Sequence, residues 1–230
     1  MYDVVKTYEK VSPAWLEKYA VIEESASINE CMEVSGALNH DFRPVWPGLR
    51  AVGTALTVRA RAGDNLIIHK AITMIKPGDI LVIACDGFQE SGGMFGGIMS
   101  TTAKKFGAQA LIIDGCVRDT IMMKEVGFPV WSRGISIKRS TKLTGGQINV
   151  PIVIGGVQVN PGDLIFADND AVVCVPREQV PQVYEAAMAR EAHEDNMLKR
   201  VLSEPELSTF NDTFRAAYTA LGLREEPDPV

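Results

Sequence analysis

Hydrophobic and polar residues alternate along residues 51–63, "AVGTALTVRARAG", a pattern typical of a β-strand. The following segment, 64–79, has helical spacing and stops at Pro77-Gly78, and residues 80–87 form a short apolar run with strand composition. The same alternation continues downstream, where we predict helices over 97–106 and 119–126 and strands over 110–114 and 128–134. Strands that alternate with helices predict an α/β core.

The pattern changes at residue 145. Residues 145–176 contain three apolar β runs, broken by Gly-Gly, Pro-Gly and Asp-Asn-Asp, and no helical segment. Consecutive strands joined by tight turns are expected to pair antiparallel. From about Arg177 onward the chain is charge-rich with helical spacing, which predicts a C-terminal helical tail. Such a tail is either a solvated helix packed along one face or an arm that contacts a neighbouring subunit.

Two helices are predicted near the N-terminus. In residues 12–24, Ser12 is placed to cap a helix that has Pro13 at its first position. Residues 27–39 predict a second helix, with Ser27 or Asn29 as its N-cap.

Composition places the chain among ordinary globular proteins. Its 230 residues suit one large domain, with 46% hydrophobic and 23% charged residues and a net charge of −6. The sequence has no run of Lys and Arg that could bind the phosphates of a nucleic acid, so we expect no nucleic-acid partner. The four cysteines form no CxxC pair, which favours reduced structural thiols. The N-terminus lacks the apolar region of a signal peptide and no apolar run could span a bilayer, so we predict a cytoplasmic protein.

The stretch "GGMFGGIMSTTAKKFGAQALIIDGCVRD", residues 92–119, carries the first chemical signal. If a helix begins near Gly97, the amides of Gly97, Ile98 and Met99 have no intrahelical acceptor, and the helix dipole favours an anion beside them. The alternative is a sharp strand-to-helix turn, which would explain a Gly-Gly pair by itself. The stretch matches neither GxGxxG nor GxxxxGK[ST], so nucleotide binding is not supported.

Arg118 and Asp119 follow the predicted strand 110–114, at the sheet edge where α/β proteins usually bind ligands. An arginine fork suits a carboxylate. Asp119 either caps the next helix or coordinates a hard cation such as Mg²⁺ or Mn²⁺. Helix amides, an arginine and a metal-binding aspartate together describe a site for an α-keto acid.

At this point the chain resembles the 4-hydroxy-4-methyl-2-oxoglutarate / 4-carboxy-4-hydroxy-2-oxoadipate aldolases, which are related to the regulator of ribonuclease activity A. Seven segments carry the resemblance: "GDNLIIH" (63–69), "KPGDILVI" (76–83), "GMFGGIMSTTAKKFG" (93–107), "IDGCVRD" (113–119), "GFPVWSR" (127–133), "NVPIVIGG" (149–156) and "PGDLIFADNDAVVCVP" (161–176).

The resemblance implies a swivelling-domain-like α/β/β/α sandwich with a C-terminal helical tail. It implies one domain over 1–230, with a core of about 25–176 and a helical arm of about 177–224, assembled into homotrimers or homohexamers. The implied activity is a divalent-metal-dependent lyase that cleaves 4-hydroxy-2-oxo diacids through a pyruvate enolate, as in the degradation of aromatic compounds, or that decarboxylates oxaloacetate. Mg²⁺ or Mn²⁺ is the implied cofactor.

The family's site residues transfer to matching positions. Arg118 would bind the oxygens of the keto acid and Asp119 would coordinate the metal. The turn at Gly96 and Gly97 and the amides of Ile98 and Met99 would hold the pyruvyl carboxylate. The metal would also be approached through water by a glutamate of a neighbouring subunit. In a looser alignment than the others, this residue corresponds to Glu194, with Asp195 as the alternative.

The chain departs from the family pattern at one acid. Aldolase members follow D-x20-R-D, which places an aspartate where this chain has Gly97; a second pattern, G-x20-R-D-x2-[ED], places the acid where this chain has Met122. Asp86, His69 or Asp114 could substitute, although each also has a structural explanation, such as a turn cap for Asp114.

The missing acid affects the two expected reactions differently. Both leave charge on an enolate oxygen that a divalent cation stabilises, but only aldol cleavage needs a base for the C4 hydroxyl. We therefore expect oxaloacetate decarboxylation to dominate. A Schiff-base route would need a lysine at C2, and Lys70, Lys76 and Lys104 are not predicted to lie there. The alternative function is a non-catalytic regulator that docks on a ribonuclease. Menaquinone methylation is not supported, because the sequence has no glycine-rich cofactor loop between a strand and a helix.

Overall fold

The computed structural model describes residues 3–85, 92–203 and 208–224. It divides into two compact units, Met1–Met188 and Ala189–Val230, which are described separately. The division falls within a long helix, so the first turns of the predicted helical arm belong to the first unit.

The described residues form helices and strands with the following bounds. The strands are β1 Arg43–Pro44, β2 Ala51–Ala60, β3 Asp79–Cys85, β4 Gly93–Phe95, β5 Ala110–Val117, β6 Val130–Ile135, β7 Gln147–Ile148, β8 Ile152–Ile154, β9 Val157–Val159, β10 Leu164–Ala167 and β11 Val172–Val175. The helices are α1 Pro13–Tyr19, α2 Ser25–Asn29, α3 Leu66–Ile72, α4 Gly97–Lys105, α5 Thr120–Val126, α6 Val180–Ser203 and α7 Ser208–Ala220.

Among the described residues, nine strands form one sheet whose centre is parallel. Its main order is β1-β6-β5-β3-β2-β10-β11, with β4 paired to β5 and β7 paired to β2. Strands β2, β3, β5 and β6 run parallel, as does β4 beside β5, whereas β1, β7, β10 and β11 pair antiparallel with their neighbours. Strands β8 and β9 form a separate antiparallel hairpin. The carboxyl ends of β4 and β5 therefore lie at one edge.

Both faces of the central strands are covered, as parallel sheets require. Helices α3, α4 and α5 pack on one face around Leu56, Ile83 and Phe95. The other face packs on hairpin residues such as Ile152 and Ile154. All seven residues of β3 are buried, which explains why this strand has a continuous apolar run instead of an alternating pattern.

The predicted α/β class and the helical tail are confirmed. Strand β5 extends three residues beyond the predicted 110–114, because its end pairs with β4 and β6. The prediction of three β runs in 145–176 is wrong, since five short strands occupy this region, although their pairing is antiparallel as expected.

The predicted second helix, 27–39, is wrong in its bounds. Helix α2 covers only Ser25–Asn29, with Glu24 at the N-cap position. The Oδ1 atom of Asn29 accepts hydrogen bonds from the backbone amides of Gly36 and Ala37 at 3.0 and 3.1 Å. Asn29 therefore binds the following turn at the helix end instead of capping its start. The first helix does begin at Pro13, with Ser12 at the N-cap position.

The first turns of α6 are anchored in the first unit. Val180, Val183 and Ala187 are buried, and the Tyr19 hydroxyl donates to the carbonyl of Val180 at 2.9 Å. Within the part of the chain that the structure describes, no helix combines the length and apolar character needed to cross a membrane.

Candidate functional site

The glycine-rich turn and the Arg-Asp pair lie side by side because the strands that precede them are neighbours. Phe95 at the end of β4 pairs with Val117 at the end of β5. The amide of Arg118 donates to the carbonyl of Phe95 at 3.0 Å. The first turn of α4 and the Arg118-Asp119 pair therefore meet at the carboxyl ends of two parallel strands. The strand before the Arg-Asp pair was predicted from the sequence, whereas β4 was not.

Asp119 has a left-handed backbone, with φ 60° and ψ 40°. A residue other than glycine pays about 1–3 kcal/mol for such a conformation unless its surroundings enforce it. Here the Oδ2 atom of Asp119 accepts a hydrogen bond from the Gly97 amide at 3.1 Å, and Arg118 Nε lies 3.8 Å from the same oxygen. The strained backbone thus directs the carboxylate toward α4.

Of the two roles considered for the Asp119 side chain, capping of the next helix is the one that the structure contradicts. Asp119 occupies the N-cap position of α5, but its side chain makes no capping hydrogen bond to that helix. Its Oδ2 atom instead bonds the first amide of α4, so two helix starts are joined through one carboxylate.

Gly96 is needed for the close approach of the Arg-Asp pair. A Cβ atom at this position would lie 2.7 Å from Asp119 Oδ2 and 3.3 Å from Arg118 Nε. Its φ of −140° is open to any residue, so conformation does not require glycine here. The side chains of Arg118 and Asp119 occupy the space that a Cβ atom on Gly96 would need.

A cleft of about 170 Å³ opens at this junction. It is smaller than the roughly 300–1,000 Å³ typical of drug-sized ligand sites, which suits a small acid better than a nucleotide. The lining residues are Asn65, His69, Gly93, Gly96, Ile98, Met99, Arg118, Asp119 and Lys142. Five of the predicted site residues are therefore together.

Gly97 and Glu194 are the predicted site residues that do not line the cleft. The Gly97 amide donates to Asp119, which leaves the amides of Ile98 and Met99 as the first-turn donors for an anion. Side chains of Arg118 and Asp119 are 41% and 51% exposed, so both are accessible to a ligand.

Gly97 and Met122 face each other. A Cβ atom on Gly97 would lie 2.3 Å from Met122 Sδ and 3.1 Å from Met122 Cβ. The two family patterns expected from the sequence place an acid at one or the other of these positions, and the packing shows that both positions share one space. In this chain the methionine side chain fills that space.

Asn65 lines the cleft, although it was not predicted as a site residue. It is 5% exposed, and its Nδ2 atom donates to the carbonyl of Met94 at 3.0 Å. Its Oδ1 atom is buried without a hydrogen-bond partner among the described residues. Buried polar atoms are normally paired, so this oxygen is an exception within the described residues.

Lys142 was also missed by the sequence analysis, and it lies near His69. Burial lowers the pKa of His69, and the Lys142 ammonium lowers it further. The imidazole is therefore mainly neutral at pH 7. His69, proposed from the sequence as a substitute for the missing acid, does line the cleft.

The loop that carries Lys142 is held by a buried carboxylate. The Oδ2 atom of Asp64 accepts hydrogen bonds from Thr141 Oγ1 at 2.7 Å and from the amides of Leu143 and Thr144 at 2.6 and 3.2 Å. Its Oδ1 atom accepts from the Leu66 amide at 3.0 Å, at the start of α3. One carboxylate thus positions both α3 and the 141–144 loop.

Other acids predicted from the sequence lie elsewhere. Asp114 is inside β5 and accepts from Arg133 Nη1 at 2.9 Å, so its predicted role as a turn cap is wrong. Asp86 lies outside the described residues. Glu194 and Asp195 belong to the second unit, where Glu194 Oε1 lies 2.8 Å from Arg190 Nη2.

The lysines considered for a Schiff base do not line the cleft. Lys104 donates to the carbonyls of Val126 and Gly127, which ties α4 to the end of α5. Lys70 and Lys76 are likewise absent from the lining residues.

The residues that line the cleft can be compared with the ligands that a divalent cation requires. Within residues 3–85, 92–203 and 208–224, no group of three or more His, Cys, Asp or Glu side chains is arranged to hold a metal. Asp119 is the acidic residue of the cleft lining. Because Mg²⁺ commonly takes one or two carboxylates and fills its other positions with water and substrate oxygens, the residues fit this ion with Asp119 as its protein ligand.

Fold and site together define an α/β protein with a small cleft at the carboxyl ends of parallel strands. The RraA-like (Aldolase/RraA) family model matches residues 21–174, so the chain belongs to this family. A relative from Halalkalibacterium halodurans, named "Putative 4-hydroxy-4-methyl-2-oxoglutarate aldolase", is 34% identical over 177 residues, which cover 77% of this chain and 83% of the relative.

Solved structures agree with the fold. A protein from Pseudomonas syringae pv. tomato has a TM-score of 0.78 at 26% identity and covers 93% of this chain and 100% of its own. Streptomyces coelicolor RraAS2, described as an unusual member of the RNase ES inhibitor RraA protein family, has a TM-score of 0.73 at 22% identity, with coverages of 83% and 98%.

We predict that Asp64→Asn destabilises the protein in a pH-dependent way. Burial alone would raise the pKa of Asp64, but its hydrogen bonds from the 141–144 loop and Leu66 lower it to about 2. A carboxyl whose pKa is lower in the folded state stabilises the fold above its unfolded value and loses this contribution as the pH falls through the folded value. The variant should lose about 2 kcal/mol at pH 7, and this difference should shrink between pH 4 and pH 2.

Urea unfolding at pH 7, 4 and 2.5 measures the difference. Asp170→Asn, which removes an exposed carboxylate, is the control and should change the free energy of unfolding by less than about 0.5 kcal/mol. A pH-independent effect of Asp64→Asn would contradict the lowered pKa.

Proposed function

We propose that this chain is a carbon–carbon lyase that releases pyruvate from 2-oxo acids, acting on 4-hydroxy-2-oxo diacids, on oxaloacetate, or on both. The supporting observation is that the α4 amides, the Arg118 guanidinium and the Asp119 carboxylate open onto one small cleft. The relative named as an aldolase favours the same class of reaction.

The substrate's C1 carboxylate is bound by the amides of Ile98 and Met99, at the positive end of the α4 dipole. Arg118 then faces the C2 keto oxygen with a charge that is fixed before the reaction begins. Such preorganised charge lowers the barrier because negative charge develops on this oxygen as the enolate forms.

In cleavage of a 4-hydroxy acid, the C4 hydroxyl gives its proton to a base and its oxygen becomes the carbonyl oxygen of the departing oxo acid as the C3–C4 bond breaks. The electrons of the broken bond form the pyruvate enolate, which then takes up a proton at C3. In decarboxylation the bond to the leaving carboxylate breaks instead, CO₂ departs, and the same enolate forms without a hydroxyl base.

Asp119 is the residue that would hold a divalent cation. Its carboxylate is fixed by the Gly97 amide and remains half-exposed, so it can bind a ligand without losing its position. When bound, Mg²⁺ or Mn²⁺ supplies a second positive charge for the enolate oxygen. An acid from a neighbouring subunit, Glu194 or Asp195, is proposed to complete the site in a trimer or hexamer.

The alternative function is a non-catalytic regulator that binds a ribonuclease. Two observations favour it. The Met122 side chain occupies the space in which the family patterns place an acid. A solved structure with the same fold is described as an unusual member of the RNase ES inhibitor RraA protein family. Pyruvate release from oxaloacetate and from 4-hydroxy-4-methyl-2-oxoglutarate, each with and without EDTA, separates the two functions. A regulator would release pyruvate from neither.

We predict that activity depends on a divalent cation held by Asp119. EDTA should abolish pyruvate release, and added Mg²⁺ or Mn²⁺ should restore it. Asp119→Asn keeps an acceptor for the Gly97 amide but removes the charge, so kcat/KM should fall by about 100-fold or more. Thermal unfolding of the variant is the control for folding. Full turnover in excess chelator would exclude this mechanism.

A second prediction concerns the space shared by Gly97 and Met122. The wild type should decarboxylate oxaloacetate faster than it cleaves the hydroxy acid, because a base contributes about 10²- to 10⁴-fold to cleavage alone. Gly97→Asp by itself should clash with Met122. The double variant Gly97→Asp/Met122→Ala, and separately Met122→Glu, should raise kcat/KM for cleavage at least about tenfold and leave decarboxylation within a few-fold.

Met122→Ala is the matched control, since it opens the space without adding an acid. Steady-state kinetics on both substrates at saturating Mg²⁺ give the comparison. If the wild type already prefers the hydroxy acid, the missing acid is not limiting, and the neutral imidazole of His69 becomes the residue to test as the base.

The third prediction concerns a site shared between subunits. Ile98, beside the cleft, is 79% exposed, and Ile121 on α5 is 76% exposed, which suits burial against another copy. We expect a trimer or hexamer by light scattering. Asp119→Asn and Glu194→Gln should each be inactive alone, whereas mixed and reassembled subunits should recover about a quarter of the sites. No recovery from mixed oligomers would place Glu194 outside the site.

A further inference from the structure

We propose that Asp114 and Arg133 are positioning residues, whose ion pair fixes a β-bulge in β5 and thereby holds Arg118 and Asp119 at the cleft. Asp114 was expected to cap a turn or to substitute for the missing acid, but it lies inside β5 and does not line the cleft. The proposal rests on the proposed function for its effect on turnover alone, because the position of Asp119 can be measured without a substrate.

The bulge lies in the ladder between β5 and β6. Its register shifts between Ile113 and Cys116, so that residues 114 and 115 of β5 lie opposite Arg133 of β6. Two residues opposite one define a β-bulge, which bends its strand and interrupts the regular ladder of backbone hydrogen bonds. The bend sets the direction in which β5 continues to Arg118, so contacts other than the ladder have to fix its geometry.

The side chains of Asp114 and Arg133 bridge this bulge. Arg133 Nη1 donates to Asp114 Oδ1 at 2.9 Å, and the side chains of Asp114 and Arg133 are only 15% and 25% exposed. A charge-assisted hydrogen bond between partly buried groups is stronger than an exposed ion pair, because water competes less for it. The pair therefore holds the two strands together at the point where the backbone ladder is interrupted.

The pair lies on the face of the sheet opposite α4. Ile112 and Trp131 pack on the hairpin face, and side chains two positions further along a strand lie on the same face. Asp114 and Arg133 are these residues, and neither lines the cleft. Their effect on the site therefore passes through the backbone of β5 and not through contact with a ligand.

The backbone beyond the bulge connects it to the site. Residues 116 and 117 pair with β4 on one side and with β6 on the other, and β4 leads into the first turn of α4. There the Gly97 amide donates to Asp119 at 3.1 Å, and Asp119 has a left-handed backbone that its surroundings have to enforce. A shift of β5 at the bulge would therefore change the distance between Asp119 and α4, and with it the direction of Arg118.

Hydrogen exchange at the Gly97 amide reports the position of Asp119, because the Asp119 carboxylate is the acceptor of this amide. Mass spectrometry with peptide fragmentation measures the rate in the full chain at neutral pH, without metal or substrate. Asp119→Ala removes the acceptor and gives the rate of the unprotected amide. Amides of β3, which is buried along its whole length, exchange on global unfolding and report overall stability.

Asp114→Asn keeps an acceptor oxygen but removes the charge, and Arg133→Met keeps the apolar stem but removes the guanidinium. Each should raise the Gly97 exchange rate about tenfold, and more than it raises the rates of β3. Arg133→Lys keeps the positive charge, so its rate should fall between those of Arg133→Met and the wild type.

Asp41→Asn is the matched control. Asp41 is the other carboxylate that Arg133 binds, at 3.1 Å, and it lies outside the bulge. Its removal leaves the pair between Asp114 and Arg133 in place, so the Gly97 rate should stay within about twofold of the wild type.

If the chain releases pyruvate as proposed, Arg133→Met should lower kcat about tenfold and change KM less, because Arg118 acts on charge that develops in the transition state. The exchange rates need no turnover, so they support or overturn the positioning role even if no substrate is cleaved. An unchanged Gly97 rate in both variants, an equal rise in Asp41→Asn, or a rise no greater than that of β3 would overturn it, as would an unchanged kcat in an active chain.

Discussion

The hydrogen bond from the Gly97 amide to the Asp119 carboxylate organises the rest of the site. It joins the segment after β4 to the segment after β5, and it compensates for the left-handed backbone at Asp119. The approach leaves no room for a side chain at Gly96. Because the first amide of α4 is used in this way, an anion is left with the next two amides and with Arg118. One hydrogen bond therefore holds Asp119 in its left-handed conformation and determines which amides of α4 remain for a ligand.

About half of the site could be predicted from the sequence, because the order of strands and helices positions those residues. The Arg-Asp pair follows a strand that was predicted, and α/β sheets usually bind ligands at the carboxyl ends of such strands. The short strand β4, which was not predicted, pairs parallel with β5 and brings the glycine turn to the same place. Lys142 could not be predicted in this way. It reaches the cleft through hydrogen bonds between the 141–144 loop and Asp64, which are separated by 77 to 80 residues in sequence and follow no local pattern. The errors at Asp114 and Asp119 have the same cause: each carboxylate binds a partner that is distant in sequence instead of its own turn or helix.

Gly97 and Met122 show why two family patterns can serve one purpose. In sequence they are alternative positions for an acid, and in the fold they occupy the same space. A carboxylate at either position would enter that space, so a glycine at one position permits a large residue at the other. This chain uses the space for a thioether, which contributes packing but cannot accept a proton.

The space shared by Gly97 and Met122 also bears on which of the two proposed reactions is faster. In decarboxylation the leaving carboxylate becomes neutral CO₂, so no hydroxyl proton has to be removed. In aldol cleavage the C4 hydroxyl must give up its proton, and a base contributes about 10²- to 10⁴-fold to that step. The missing acid beside Gly97 therefore slows only the cleavage, and this difference would decide the preferred reaction.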